Sequence, residues 1–206
     1  MTSIAPIRDP RQDWLLTPAN AAVVIIDYQP TQIHSVNSIN TSDLIHHIVT
    51  VARTAKVYGL PIVLSTVNVA TTRNQETVPP LKEALDGVPS YDRTSINAWE
   101  DAEFVAAVQA TGRKKLIMCA LWTEACLAFP TLDALREGYE VYPVVDAIGG
   151  TSTLAHETAL RRVEQAGAQL ITIPQLICEL QRDWNRSETV EPFLDLMFEA
   201  RAFVGL

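Results

Sequence analysis

The chain has 206 residues, of which 48% are hydrophobic and 19% are charged, a composition typical of one globular domain with a substantial core. Its net charge is -8 and its Lys and Arg residues are scattered, which argues against a basic surface for nucleic acid or an anionic membrane. The longest unbroken apolar run extends only from Leu116 to Trp122, whereas a membrane-spanning helix needs about 20 residues. We therefore expect a protein that binds neither nucleic acid nor membranes.

The first twenty residues contain charges and prolines but no apolar segment of the length found in secretory signals, so we expect a cytoplasmic protein. The three cysteines, Cys119, Cys126 and Cys178, are widely spaced, which suits neither a disulfide framework nor a Cys-x-x-Cys zinc site. We therefore expect reduced thiols.

Short apolar runs alternate with amphipathic stretches along the chain, which predicts strand–helix–strand units around a mainly parallel sheet. In chain order, the predicted strands are 21–26, 61–67, 115–121, 139–145 and 169–173, and the predicted helices are 41–58, 100–111, 124–137 and 153–166. Residues 68–95 carry no long periodic run, which predicts a loop-rich excursion with a functional role. The sequence thus predicts an α/β fold with about five parallel strands.

Three segments are expected along the chain: an N-terminal extension over 1–19, one main domain over 20–185 and a C-terminal helix within 186–206. Five apolar residues form a stripe at helical spacing in the last segment: Val190, Phe193, Leu194, Met197 and Phe198. Such a stripe packs either on its own domain or on a neighbouring subunit. Both alternatives give the segment a structural role.

The residues that follow the predicted strands are the first candidates for a functional site, because ligands bind beyond the C-terminal ends of strands in an open parallel sheet. Asp27 directly follows an apolar strand, and burial raises a carboxyl pKa toward values useful in proton transfer. Asp27 is therefore a candidate general base. A carboxylate that merely caps a turn fits the same position.

Cys126 is the second candidate. We expect Thr123 to cap a helix that begins at Glu124, which places Cys126 in the first turn, where free N–H groups and the helix dipole favour a thiolate. The same N–H groups can stabilise an oxyanion. A small buried hydrophobic role fits Cys126 equally well, and we assign Cys119 and Cys178 to the core.

Five short motifs have the order and spacing of a known family: Ile-Ile-Asp-Tyr-Gln at 25–29, Arg-x-x-x-Asn-Ala-Trp at 93–99, Thr-Glu-Ala-Cys at 123–126, Asp-Ala-Leu-x-x-Gly-Tyr-x-Val at 133–141 and Val-Asp-Ala at 145–147. Together they resemble the isochorismatase-like cysteine hydrolase superfamily, and in particular its bacterial isochorismatase-type hydrolases of uncertain substrate. The resemblance covers about residues 20–185. The Thr-Glu-x-Cys block is its most specific part.

This resemblance implies a three-layer α/β/α fold with a mainly parallel sheet of about five to six strands, and an Asp–Lys–Cys triad. Asp27 and Cys126 match two members of the triad, but Arg93 stands where the family has Lys. Because Arg stays charged at any working pH, it cannot relay a proton. Arg93 could hold Asp27 ionised, stabilise a Cys126 thiolate or make only a surface ion pair, and Lys82 is an alternative to it.

Further site residues follow from the same resemblance. The candidate substrate-binding residues flank the triad positions: Tyr28, Gln29, Trp99, Trp122, Thr123 and Phe129. Core packing explains any one of the aromatic residues equally well. The resemblance also implies a cis peptide bond between Trp122 and Thr123.

We expect neither a metal nor another cofactor. The nicotinamidases of the superfamily hold a divalent metal through histidines in the segment before the Lys, and residues 68–92 contain no His. A solvated helix face explains the pair His46 and His47. The expected partners are a small-molecule substrate and, from the habit of the family, further copies of the same chain.

The leading hypothesis is a metal-independent cysteine hydrolase that cleaves a small amide or related C–N bond through a thioester acyl-enzyme. Cys126 is its nucleophile, Asp27 is its general base and then its acid, and Arg93 is an electrostatic partner. Two alternatives stay open at this point. One is a catalytically altered family member that acts as a binding or scaffold protein, and the other is a vinyl-ether hydrolase of the isochorismatase type, which needs no acyl-enzyme.

Overall fold

A five-stranded parallel sheet forms the centre of the computed structural model, which describes residues 8–203. Its strands are β1 (Ala21–Ile26), β2 (Ile62–Val67), β3 (Ser90–Arg93), β4 (Lys115–Ala120) and β5 (Glu140–Pro143), in the spatial order β3-β2-β1-β4-β5. The central strands β1 and β4 are buried at every position, as expected for a parallel sheet that is covered on both faces. The predicted α/β class is confirmed.

Within residues 8–203, eight α-helices flank this sheet: α1 (Pro30–His34), α2 (Thr41–Val57), α3 (Pro79–Ala84), α4 (Ala102–Ala110), α5 (Ala128–Arg136), α6 (Thr153–Gln165), α7 (Ile173–Gln181) and α8 (Val190–Glu199). One group of touching helices contains α2, α3, α7 and α8, and another contains α5 and α6. From β1 the chain moves outward to β2 and β3, and it then returns to β4 on the other side of β1. The ends of β1 and β4 flank this reversal, the place where ligands bind in open parallel sheets.

One of the five predicted strands is wrong. In 169–173 the structure has only an isolated bridge between Ile171 and Val144, and α7 begins at Ile173. The fifth strand is instead β3, which lies with α3 inside the segment predicted to be loop-rich. Because β3 is a short, partly exposed edge strand, it lacks the apolar run that identifies the buried strands.

The C-terminal stripe packs mainly on its own domain. Helix α8 contacts α2 and α7 and buries Phe193, Leu196 and Met197, whereas Phe198 is 48% exposed. At the other end of the chain, the Leu16 N–H donates to Glu179 of α7 at 2.7 Å. Residues 1–7 of the predicted N-terminal extension and 204–206 of the C-terminal segment lie outside the described residues.

No helix among residues 8–203 combines the length and the apolar character needed to cross a membrane.

Candidate active site

The three predicted catalytic residues come together at the C-terminal edge of the sheet. Asp27 directly follows β1, Arg93 is the last residue of β3, and Cys126 lies in a single π-helical turn, Thr123–Leu127, just beyond β4. Asp27 has a φ of 63°, a left-handed conformation that is uncommon outside glycine and often found at functional sites. The site therefore lies where the strand order reverses.

The guanidinium group of Arg93 binds the Asp27 carboxylate through both of its terminal nitrogens. Its Nη1 donates to Asp27 Oδ1 at 2.8 Å and its Nη2 donates to Oδ2 at 2.7 Å, and both side chains are fully buried. Nη1 also donates to Ser65 Oγ at 3.0 Å, and Nη2 donates to the Ile96 carbonyl at 3.2 Å. A bidentate, charge-assisted pair of this kind fixes the carboxylate in one orientation, so the surface ion-pair alternative for Arg93 is wrong.

The Cys126 thiol lies close enough to the Asp27 carboxyl group for each to shift the pKa of the other, and Cys126 is 7% exposed. Burial raises the pKa of the Asp27 carboxyl, and the Arg93 guanidinium opposes this rise. Burial and then the Asp27 charge raise the pKa of the Cys126 thiol, against the opposing effects of Arg93 and of a backbone hydrogen bond at Trp122. The resting site is thus a thiol beside a carboxylate, not the free thiolate that a helix N-terminus alone would favour.

The local structure around Cys126 also differs from the prediction. Thr123 does not cap a helix: Trp122 occupies the position before the turn without a side-chain cap, and Thr123 Oγ1 lies 2.8 Å from His156 Nδ1. The regular helix α5 begins only at Ala128, so Pro130 falls within its first turn, where a missing N–H is tolerated. The cis peptide bond joins Leu121 to Trp122, one bond earlier than expected.

Tyr28 and Gln29 are fully buried, and their side chains form hydrogen bonds to the backbone of neighbouring segments. The Tyr28 hydroxyl donates to the Ala147 carbonyl at 2.5 Å. The Gln29 amide accepts from the Val67 N–H at 2.9 Å and donates to the Gln75 carbonyl at 2.6 Å. These contacts hold β1, β2 and the segment after β2 in place. Substrate binding by either residue stays a prediction.

The aromatic candidates divide into two sets. Trp122 precedes the turn of Cys126, and its indole N–H donates to Ser35 Oγ at 2.9 Å. Trp99 is buried against Tyr139, with ring centroids 5.5 Å apart, and Phe129 packs on a small cluster that includes Val163. The contacts of Trp99 and Phe129 thus lie in the core, and substrate contact by any of the three stays a prediction.

Lys82 cannot replace Arg93. It pairs with Glu76 and lines a cavity of about 320 Å³ together with Thr66 and Asp92. Successive side chains of a strand point to opposite faces, and the neighbouring Ser65 is the residue that contacts Arg93. Lys82 therefore lies on the other face of the sheet from the Asp27–Arg93 pair.

Two expectations about cysteine and histidine are wrong. Cys178 is exposed, because α7 turns its apolar neighbours Leu176, Ile177 and Leu180 inward. His46 and His47 are half-buried rather than solvated, and their rings bond to the carbonyls of Glu199 and Asp146 at 2.7 and 2.6 Å. Within 8–203, no group of three or more His, Cys, Asp or Glu side chains is arranged to hold a metal, and the expectation of a cofactor-free site stays a prediction.

Sequence reasoning missed two site residues. Ser65 was detectable as a polar residue in an otherwise apolar strand, and it accepts from Arg93. His156, which contacts Thr123 from α6, gave no signal, because it lies 33 positions further along the chain and outside every motif of the sequence analysis.

Comparison with known proteins gives the family of the chain. The isochorismatase domain family matches residues 21–175. The probable hydrolase YcaC of Escherichia coli (strain K12) is 39% identical over 167 residues, which cover 81% of this chain and 80% of that protein. The secreted isochorismatase effector Isc1 of Phytophthora sojae is 26% identical over 149 residues, 70% of each chain.

Solved structures agree with this assignment. YcaC from Pseudomonas aeruginosa, determined with hexane-2,5-diol and covalent acrylamide, superposes with a TM-score of 0.85 at 35% identity and covers 91% of this chain and 92% of that one. YcaC of Escherichia coli, an octameric hydrolase of unknown specificity, has a TM-score of 0.81 at 34% identity over 93% and 98% of the two chains. The chain therefore belongs to the isochorismatase family and is a hydrolase of that family.

Proposed function

We propose that the protein is a cysteine hydrolase that cleaves a small amide or related C–N bond. The observation that carries the proposal is a buried Asp27 carboxyl group, held by Arg93 at 2.8 and 2.7 Å, that lies near enough to the Cys126 thiol for each group to shift the pKa of the other. A nucleophile beside an oriented base is the arrangement that covalent catalysis requires. The covalent acrylamide of the Pseudomonas aeruginosa relative supports the nucleophile of this proposal, since acrylamide is a small electrophile.

In the proposed reaction, Asp27 takes the thiol proton as the sulfur of Cys126 attacks the amide carbonyl carbon. The C–S bond forms and the carbonyl electrons move to oxygen, which becomes an oxyanion. When this intermediate collapses, the C–N bond breaks and Asp27 gives its proton to the leaving nitrogen. Water, activated by Asp27, then hydrolyses the thioester, which releases the carboxylic acid and restores the thiol.

Arg93 acts in this scheme by charge and geometry. A guanidinium does not give up its proton in proteins, so the proton moves only between Cys126, Asp27 and the substrate. Each carboxylate oxygen has two lone pairs, and Asp27 can therefore accept from the thiol while both of its oxygens remain bonded to Arg93. We infer that Arg93 keeps the base ionised and aimed at the sulfur.

The oxyanion needs donors close to the sulfur. Three N–H groups of the turn are already engaged, since Thr123 donates to the Gly149 carbonyl at 2.9 Å, and Ala125 and Leu127 donate to the Trp122 carbonyl at 3.1 and 3.2 Å. We therefore assign oxyanion binding to the two other N–H groups of the turn, those of Glu124 and Cys126, in place of the wider Thr123–Cys126 set expected from the sequence. One lost donor of this kind typically costs about 100- to 1000-fold in rate.

The test is hydrolysis of a panel of small primary and N-substituted amides, followed by release of ammonia or amine. Cys126→Ala and Cys126→Ser are expected to abolish turnover while the far-UV circular dichroism spectrum stays native. Cys178→Ala, which changes an exposed thiol, is the matched control and should retain activity.

Isochorismate belongs in the same panel, because the vinyl-ether alternative needs no acyl-enzyme. Activity that survives in Cys126→Ala, on isochorismate or on any amide, would contradict the thioester route. Loss of all activity in that variant is the result that the proposal predicts.

We further propose that the chain assembles with copies of itself. The Escherichia coli relative is described as an octamer. Three large apolar side chains of this chain, Trp14, Leu154 and Trp184, are 84%, 76% and 63% exposed, which leaves them free to pack against a neighbouring copy.

A further inference from the structure

His156 contacts the turn that carries the nucleophile. It is the fourth residue of α6, is half-buried, and places its Nδ1 2.8 Å from Thr123 Oγ1. Thr123 is the first residue of the Thr123–Leu127 turn and is completely buried. The contact therefore joins α6 to the start of the backbone segment that positions Cys126.

Other contacts also join the Thr123–Leu127 turn to the segment that leads into α6. The Thr123 N–H donates to the Gly149 carbonyl at 2.9 Å, and Glu124 Oε1 accepts from the Thr151 N–H at 3.0 Å. Gly150 lies between these groups: a Cβ added there would lie 2.6 Å from Glu124 Oε2 and 3.0 Å from His156 Cβ. The space between the turn and α6 is thus filled, and the turn cannot shift without breaking these bonds.

The protonation state of His156 suits this contact. Burial lowers the pKa of His156, while the nearby carboxylates of Glu124 and Glu157 oppose the change. A neutral imidazole can accept at Nδ1, and the Thr123 hydroxyl can then donate to it. Among the described contacts of His156, the ring meets no group of the Asp27–Arg93 pair, so its effect on chemistry must pass through Thr123.

We propose that His156 is a positioning residue that, through Thr123, fixes the Thr123–Leu127 turn and so the direction in which the Cys126 sulfur faces Asp27. The inference rests on the proposed function of Cys126. We expect an effect on Cys126 of about tenfold, which corresponds to about 1.4 kcal/mol, near the upper end of what one such hydrogen bond contributes. This is well short of the complete loss expected for a catalytic residue.

The experiment measures the rate at which acrylamide alkylates Cys126 in the full chain at neutral pH, by peptide mass spectrometry, with exposed Cys178 as an internal control. His156→Phe and Thr123→Val each remove one side of the hydrogen bond and should slow Cys126 about tenfold without changing Cys178. His156→Asn, which keeps a hydrogen-bonding atom near the position of Nδ1, should stay within about threefold of the unmodified protein. Because the two residues share one interaction, the double variant His156→Phe/Thr123→Val should be no slower than either single variant.

Unchanged Cys126 rates in both single variants would overturn the inference, and so would slowing in the double variant equal to the product of the two single effects. Asp27→Asn separates this failure from that of the proposed function. If Asp27→Asn slows Cys126 and His156→Phe does not, only the positioning role fails. If Asp27→Asn has no effect, the proposed function and this inference fail together.

Discussion

Asp27 and Arg93 form a buried charge pair in which a guanidinium stands where the family resemblance implies an ammonium. Removing one partner of a buried pair leaves the other charge without compensation, which typically costs about 3–5 kcal/mol. The two residues were identified from sequence because each belongs to a motif of the family. The closeness of their contact was not predictable, since it depends on the pairing of β3 beside β2.

Arg93→Met should therefore lower the free energy of unfolding by about 3–5 kcal/mol, measured by urea denaturation. The matched variant is Asp27→Asn/Arg93→Met, which removes both charges and should be less destabilised than Arg93→Met alone. If both variants lost the same free energy of unfolding, the unpaired charge of Asp27 would not be the cause of the destabilisation.

Arg93→Lys tests whether the Arg is a working part of the enzyme. A lysine keeps the charge but loses the bidentate geometry, so a functioning Arg-dependent site should lose at least tenfold in turnover of its best amide. A gain of activity on generic small amides would instead favour the altered family member that serves as a binding or scaffold protein.

The pH dependence of the site follows from Asp27. Its carboxyl must be ionised to take a proton, and burial raises its pKa above the ordinary value of 3.8. As the pH falls through this raised pKa, the base becomes protonated, and alkylation of Cys126 should slow before pH 3.8 is reached. A rate that stays constant down to the ordinary carboxyl pKa would contradict the assignment of Asp27 as base.

At the scale of elements, the buried strands and long helices were predictable, and the irregular pieces were not. Residues 169–173 were predicted as a strand because they include the apolar residues Ile171 and Ile173, and both are indeed buried. A buried apolar residue need not belong to a strand, however, and here the run contains only one bridge before α7 begins. The π-helical turn of Cys126 has no sequence signal of its own. Its shape depends on tertiary bonds such as that from Thr123 to Gly149.

Helix α8 offers a matched pair of phenylalanines. Phe193 is buried between Trp184 and Phe203, with ring centroids 5.1 and 6.2 Å away, whereas Phe198 is 48% exposed. Phe193→Ala should cost about 3–5 kcal/mol of unfolding free energy, and Phe198→Ala should cost much less. Urea denaturation measures both, and equal effects would mean that α8 does not pack as described.

At the scale of the whole molecule, the reversal of strand order explains why residues from three distant segments meet. Asp27 and Cys126 follow the adjacent strands β1 and β4, and Arg93 reaches them from the edge strand β3 across β2. The parallel sheet was predictable from alternating patterns. The order of its strands was not predicted, because periodicity carries no information on which strands are neighbours.

Multi-angle light scattering tests assembly of the 22.7 kDa chain. We expect a mass that is a multiple of this value. Since α8 packs mainly on its own domain, Phe198→Asp, which changes an exposed side chain of that helix, should leave the mass unchanged. A monomer at micromolar concentration would contradict the proposed self-association.

The most direct test of the central claim, that Asp27 activates Cys126, is the rate of iodoacetamide labelling at Cys126 relative to Cys178 in the same molecule. The account predicts that Asp27→Asn slows Cys126 by at least an order of magnitude and leaves the exposed Cys178 unchanged, because the loss of the proton acceptor outweighs the lower thiol pKa that follows when the Asp27 charge is removed. Equal rates of Cys126 labelling in the unmodified protein and in Asp27→Asn would contradict the claim that Asp27 activates Cys126.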